Sequence, residues 1–338
     1  MLSTCATATE SAKALEYNAS ATRCTEQGYV AGLIVQVCAR AGQVGRSLGV
    51  EPRDSAQTRT VTPAEEYAGV LRARDRRKLT GVGNAYRIFN FVAALTAPLD
   101  HLNEVLMDSR VAHVQADCYA VLTPVELAAT SASTSSAAVP WGLDRIDSRT
   151  GLDGRFDAGE QRGWNSTIYI ADTGVRISHR DFGGRAVRGW SAYCNDEDDT
   201  CGAVGVDGGV ITAGHSGCNS HGTHVASTAA GTQFGVAKAA TIVAVQALNC
   251  YGGGTTSGII GAIRWSMEDA ITMGRERTSV ISLSLTSNLG SIDKAAVVEA
   301  HNAGLVVVAA AGNAAYDQCA SLPTCPQPCA RCDGPKTD

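Results

Sequence analysis

Long apolar runs are missing from this sequence. No stretch approaches the roughly 18 consecutive apolar residues needed to span a bilayer. The nearest, YVAGLIVQVCA (Tyr29 to Ala39), starts late and follows Glu26 rather than a basic stretch, so it reads as a strand, and no clear signal peptide is present. Strong net charge is missing as well. A formal charge of -5 and a pI near 5.8 give no whole-molecule attraction to nucleic acid or anionic lipid, and the one basic run, RARDRRK (Arg72 to Lys78), reads as a solvated helix face. There is no HExxH motif, and the cysteines do not form paired CxxC knuckles. What is there is a chain of 338 residues, 44% hydrophobic and 18% charged, long enough for a full core and two domains. Of its twelve cysteines, eight lie from Cys194 onward among Gly, Asp and Asn, a usage that favours disulfides and a secreted or luminal location. Sequons at Asn18 and Asn165 are compatible with that.

Composition shifts once along the chain. AATSASTSSAAVP (Ala128 to Pro140) has no charge and no large side chain, so it reads as an exposed linker and a domain boundary. Before it, AYRIFNFVAAL alternates like a strand, PLDHLNEVLMDS carries Leu99, Leu102, Val105 and Leu106 at helical spacing, and VAHVQADCYAVL is strand again, which predicts a small α+β unit. After it, TIYIAD, TIVAVQAL, SVISLSL and GLVVVAAAG are short apolar runs of the kind buried on both faces of a sheet. They alternate with HGTHVASTAAG, TTSGIIGAIRWSMEDAITMG and SIDKAAVVEAHNAG, each helical in period and closed by glycine. The pattern predicts an α/β domain with a parallel sheet and right-handed crossovers.

In such a sheet, function gathers where strands end and helices begin. Asp172 ends the first strand in IADTGV, Asn313 follows the last in AAAGNA, and His221 opens the helix HGTHVASTAAG. An imidazole acts as a general base when one ring nitrogen faces the nucleophile and a buried carboxylate holds the other, a role Asp172 can fill. An amide such as Asn313 can donate to a developing oxyanion. Together they point to proteolysis. The rival reading of His221 is zinc, with Cys218 and His224 at three-residue spacing; without the glutamate of HExxH no metal ligand is assigned, and His224 is expected to pack and hydrogen-bond in its helix.

On these residues the sequence resembles the subtilases, nearest to their proteinase K branch. IYIADTGVRISHRDFGGRA, HGTHVAST, GVAKAATIVAVQALNCYGGGTTSGII and LVVVAAAGN are similar to that family's Asp, His and oxyanion-Asn blocks, in order, from Trp141 to about Cys319. YRIFNFVAALTAPLDHLNEVLMDSRVAHVQAD resembles the inhibitor-chaperone propeptide of the same enzymes. The resemblance implies a subtilisin-like parallel sheet flanked by helices, incomplete at the C-terminus, behind a small α+β ferredoxin-like propeptide domain. It divides the chain into an N-terminal extension (1–26), a propeptide domain (27–127), a cleavable linker (128–139), a partial catalytic domain (140–318) and a Cys-rich, foreign-looking tail (319–338). It assigns Asp172 as orienting acid, His221 as base and Asn313 as oxyanion donor, and puts Gly252, Gly253, Leu285, Ala310 and Gly312 along the substrate groove. It pairs Cys218 with Cys250, leaves Cys194 and Cys201 to close the acidic loop CNDEDDTC, and likens Asp144, Asp147 and Asp153 to a calcium loop of some relatives. No cofactor is required, structural calcium aside. The expected partners are a protein or peptide substrate and the chain's own propeptide in cis, in a monomer with no nucleic acid and no membrane span.

The chain also departs from the family. No GTSMA block follows Asn313, so no nucleophile is assigned, and Ser257 in GGTTSG, lying between the His and Asn blocks, is expected at a helix cap or turn. Thr286 and Ser287 stand where relatives carry glycines beside the substrate. Two function classes therefore stand open: a serine endopeptidase working through an acyl-enzyme, whose nucleophile this chain lacks, and a non-catalytic relative that binds or inhibits peptides.

Overall fold

The computed structural model describes residues 9–27, 29–37, 85–89, 92–95, 102–109, 111–121, 139–193, 219–285 and 291–310. The N-terminal strands β1 (Tyr29–Val37), β2 (Ala85–Phe89), β3 (Val92–Leu95) and β4 (Val111–Val121) form an antiparallel sheet. Its order is β2-β3-β1-β4, and β8 (Gly253–Thr255), from the second half of the chain, adds as a fifth strand beside β4.

The period of two decides what each face meets. Leu33 and Val35 of β1 and Val114, Ala116 and Cys118 of β4 point into a cluster with α1 (Glu10–Gln27) and α2 (Leu102–Met107). Ile34 of β1 points the opposite way, into the main core. Helix α1 lays Lys13, Tyr17, Ser20 and Cys24, spaced by three and four residues, against this sheet. Three hydrogen bonds and a disulfide secure it. Lys13 Nζ donates to the carbonyls of Leu106 and Asp108, both at 2.9 Å, Ser20 Oγ accepts from the Ala116 amide at 2.9 Å, and Cys24 is disulfide-bonded to Cys118. That disulfide was not foreseen in the sequence, because the two cysteines lie 94 residues apart and only the sheet brings their Cα atoms to 5.1 Å.

The second sheet is parallel throughout, in the order β10-β9-β5-β7-β6. Its strands are β5 (Thr167–Asp172), β6 (Ala186–Ser191), β7 (Thr241–Gln246), β9 (Ser279–Leu283) and β10 (Val306–Ala309). The apolar runs of β5 and β7 are explained by cover on both faces. Tyr169, Ala171, Val243 and Val245 meet α5 (Thr256–Thr272) and α6 (Ser291–Asn302), while Ile170, Ile242 and Ala244 meet α4 (His221–Ala230). Full burial of each valine or isoleucine here contributes about 1.5–3 kcal/mol. The first half of helix α5 (256–263) is uncharged and almost wholly buried because the helix lies between the two sheets, packing against β2 and β4 on one side and β5, β6, β7 and β9 on the other.

Two strands depart from the reading of the sequence. β6 has no apolar run, since Arg188 and Gly189 interrupt it, and was not expected. β10 was expected to be buried on both faces, yet Val306 and Val308 are 53% and 54% exposed: it is the outer strand of the sheet and pairs only with β9 among the described residues.

Candidate active site

Parallel strands end on one rim. Asp172 closes β5 in register with Gln246 at the end of β7, and Ala309 of β10 is in register with Leu283 of β9. Asp172 is fully buried. Its Oδ1 accepts the Thr173 amide at 2.7 Å, and both of its oxygens accept from His221 Nδ1, at 2.8 and 2.9 Å. With Nδ1 held as donor to the carboxylate, Nε2 is left as the basic nitrogen. The ring is partly open, with 26% of its side chain exposed against none for Asp172. The hydrogen bond that His221 donates to the Asp172 carboxylate raises the imidazole above its ordinary pKa; burial opposes this and the carboxylate's charge adds to it.

The approach of α4 to β5 depends on Gly222. A Cβ there would lie 2.3 Å from the Gly174 carbonyl oxygen and 3.1 Å from Asp172, so a side chain would push the helix start, and His221 with it, off the carboxylate. Thr173 Oγ1 accepts the Gly222 amide at 3.0 Å and donates to the Asn219 carbonyl at 3.2 Å; Asn219 Oδ1 accepts the His221 amide at 2.9 Å. Thr173 and Asn219 thus fix the pose of the imidazole. Sequence reasoning missed both, since small polar residues beside a motif carry no signal of their own.

His224 does not pack as expected. It lies on the outer face of α4 and is exposed, because the buried positions of that helix are Gly222, Ala226 and Ala230. Ser257 is fully buried at the start of α5, where its Oγ lies 2.6 Å from Asp117 Oδ2 and 2.9 Å from Thr255 Oγ1. Gly252 and Gly253 are buried at the entry to β8, and the Asn219 amide ties their turn to the His221 segment through the Cys250 carbonyl at 2.8 Å. Leu285, buried just past β9, and Ala310, exposed just past β10, leave the sheet on the rim that carries Asp172. Cys250 is disulfide-bonded. Asn313, Gly312, Cys218, Cys194, Cys201, Thr286 and Ser287 lie outside the described residues.

The carboxylates likened to a calcium loop do not converge on a cation position. Asp144 accepts the amides of Asp153 and Gly154 at 2.9 and 2.8 Å, Asp147 accepts that of Asp157 at 2.7 Å, and Asp153 accepts that of Arg155 at 3.0 Å. They brace the loop after α3 (Trp141–Asp147) from within.

A parallel sheet covered on both faces, with a buried carboxylate orienting a partly open imidazole at its strand ends, defines an α/β protein equipped for acid-base chemistry. Residues 163–330 match the family described as Subtilase family. Subtilisin-like protease 4 of Arthroderma gypseum is 37% identical over 214 residues, 63% of this chain and 47% of the relative. The extracellular serine proteinase of a Thermus species is 37% identical over 229 residues, 67% and 48% of the two chains. Subtilisin-like serine protease Pen c 1 of Penicillium citrinum is 33% identical over 275 residues, 80% and 63%. A solved cold adapted subtilisin-like serine proteinase is 39% identical, with a TM-score of 0.44 over 52% of this chain and 57% of that one. The chain spans about half the length of the first two of these relatives.

Proposed function

We propose that this chain carries the acid-base half of a secreted serine endopeptidase together with a unit that inhibits it in cis. The observation that carries the reading is the Asp172–His221 pair, a buried acceptor holding Nδ1 while Nε2 stays open. In the reaction, Nε2 takes the proton of a serine hydroxyl as it attacks the scissile carbonyl, and Asp172 stabilises the imidazolium that forms. Asn313 donates to the oxyanion, a contact of a kind whose loss costs about 3–4 kcal/mol of barrier lowering. The imidazolium then returns its proton to the leaving amine. The serine belongs to a GTSMA-type block that is not among these 338 residues.

The inhibitory unit comprises the antiparallel sheet with α1 and α2, so it starts near residue 10 rather than 27. Its last strand pairs with β8 in the manner of a bound peptide, with Tyr119, Ala120 and Val121 opposite Thr255, Gly254 and Gly253. Residues 128–139 form the cleavable linker behind it. Disulfides at Cys24–Cys118 and Cys250 support extracellular action.

Sequencing the transcript past the Cys319 codon tests the proposal. An in-frame GTSMA block is expected, and the extended chain should hydrolyse casein and lose that activity in His221→Ala. A stop codon directly after Asp338, or full activity in His221→Ala, refutes it, the former in favour of a peptide-binding module.

A further inference from the structure

We infer that Asn249 and Gly253 form a notch that recognises a tyrosine side chain on an extended peptide paired along β8, and that Tyr119 of β4 fills it in cis. The inference rests on the reading of β8 as the peptide-binding edge and names the side chain that edge selects.

The floor of the notch is backbone. A Cβ at Gly253 would lie 2.5 Å from Tyr119 Oη and 2.8 Å from its Cε1 and Cζ, so the ring occupies the space a side chain at 253 would take. Tyr119 is in register with Thr255, two residues along, so its ring reaches Gly253 on the diagonal, as long side chains do across antiparallel pairs. The floor is also held still. The Gly253 carbonyl accepts from Tyr193 Oη at 2.9 Å and from the Asn249 amide at 2.7 Å.

The wall supplies a hydrogen bond of fixed polarity. Asn249 Oδ1 accepts the amides of Tyr251 at 2.9 Å and Gly253 at 3.0 Å, which fixes the orientation of the carboxamide. Its Nδ2 is thereby turned to the ligand as a donor, and it meets Tyr119 Oη at 2.7 Å. A phenol completes that bond, whereas a phenyl or aliphatic group of similar bulk leaves the N–H unpaired. Asp117, two residues earlier on the same face of β4, anchors the strand separately on Ser257. Aromatic fit and hydroxyl reading are therefore properties of the notch.

The test uses the full chain and the tyrosine side chain as a free probe. Tyr119→Ala empties the notch, and p-cresol is expected to bind this variant and raise its melting temperature. Toluene should bind about tenfold more weakly, and Asn249→Leu in the same background should erase the difference. Equal binding of toluene and p-cresol to Tyr119→Ala, or a preference that survives Asn249→Leu, overturns the inference and leaves the pairing of β4 with β8 untouched. Equal binding of p-cresol to wild type and Tyr119→Ala shows that Tyr119 does not occupy the notch, which overturns the cis docking itself. If Tyr119→Ala does not fold, Tyr119→Phe keeps the ring: the side-chain amide protons of Asn249 should shift in its NMR spectrum, and unchanged protons refute the contact.

Discussion

Docking of the N-terminal antiparallel sheet against β8 and α5 is expected to weaken as pH rises, through a single buried group. Asp117 is 2% exposed and sits where β4 meets the start of α5. Its Oδ1 accepts the Ser257 amide at 2.9 Å and its Oδ2 lies 2.6 Å from Ser257 Oγ. Burial raises its pKa from 3.8 to about 6, outweighing the two Ser257 hydrogen bonds, which favour the carboxylate. Charged groups give little help. β8 and the first turn of α5 contribute only Gly, Thr, Ser and Ile, the first charge on α5 is Arg264, Lys294 and Glu299 come from α6, and the His113–Glu16 pair lies about 13 Å down the strand. Once β4 lifts away the carboxyl is hydrated and returns to its ordinary value. A group whose pKa is raised in the docked state stabilises docking fully below its free value and loses that contribution as pH climbs through about 6. The shift corresponds to at most about 3 kcal/mol, and between about pH 4.5 and about pH 7.5 the docking equilibrium should fall roughly 25-fold. Neutral Asp117 remains satisfied, because it can donate to Ser257 Oγ, whose own proton turns to Thr255 Oγ1, 2.9 Å away. Hydrogen exchange at the amides of Gly254, Thr255 and, above all, Ser257, which donates to Asp117 itself, corrected for the intrinsic rate at each pH, reads this directly. Protection should drop with rising pH in wild type and stay flat in Asp117→Asn, which copies the neutral acid. Protection that rises with pH, or an equal slope in both proteins, refutes the reasoning.

Three further outcomes are expected. Asp172→Asn should lower the His221 pKa toward its ordinary value, followed by NMR of the ring proton between the nitrogens; the wild-type pair stabilises the fold below the usual histidine pKa and loses that contribution as pH rises through the raised one, a dependence the variant should lack. Gly222→Ala should cost about 1–3 kcal/mol by thermal melting and displace the imidazole, since the added methyl meets the Gly174 carbonyl. Opening the Cys24–Cys118 bridge by Cys24→Ser should cost about 2–4 kcal/mol and raise exchange across α1 and β4 while leaving β5 and β7 protected.

Much of the fold was legible because burial writes itself into period. The continuous runs of β5 and β7, the alternation in β4 and the closing glycines of the helices follow from which side chains must leave water, and the adjoining strand end and helix start put Asp172 and His221 on one rim. Elements without such a stamp went unread. β6 is interrupted by Arg188 and Gly189, and β8 is Gly-Gly-Thr, with no apolar side chain to announce it. α1 fell within a segment taken for an extension, because its buried stripe of Lys13, Tyr17, Ser20 and Cys24 is mostly polar and acquires meaning only from the carbonyls, the amide and the cysteine opposite.

By itself the sequence determined the parallel α/β architecture and the acid-base pair, since both depend on residue type at short spacing. Only the tertiary structure decided that β4 lies along β8, that Asp117 caps α5 and that Tyr119 rests on Gly253. Those contacts join residues more than a hundred positions apart, and at such distances partners are chosen by the shape and hydrogen-bonding needs of surfaces that exist only after the chain has folded.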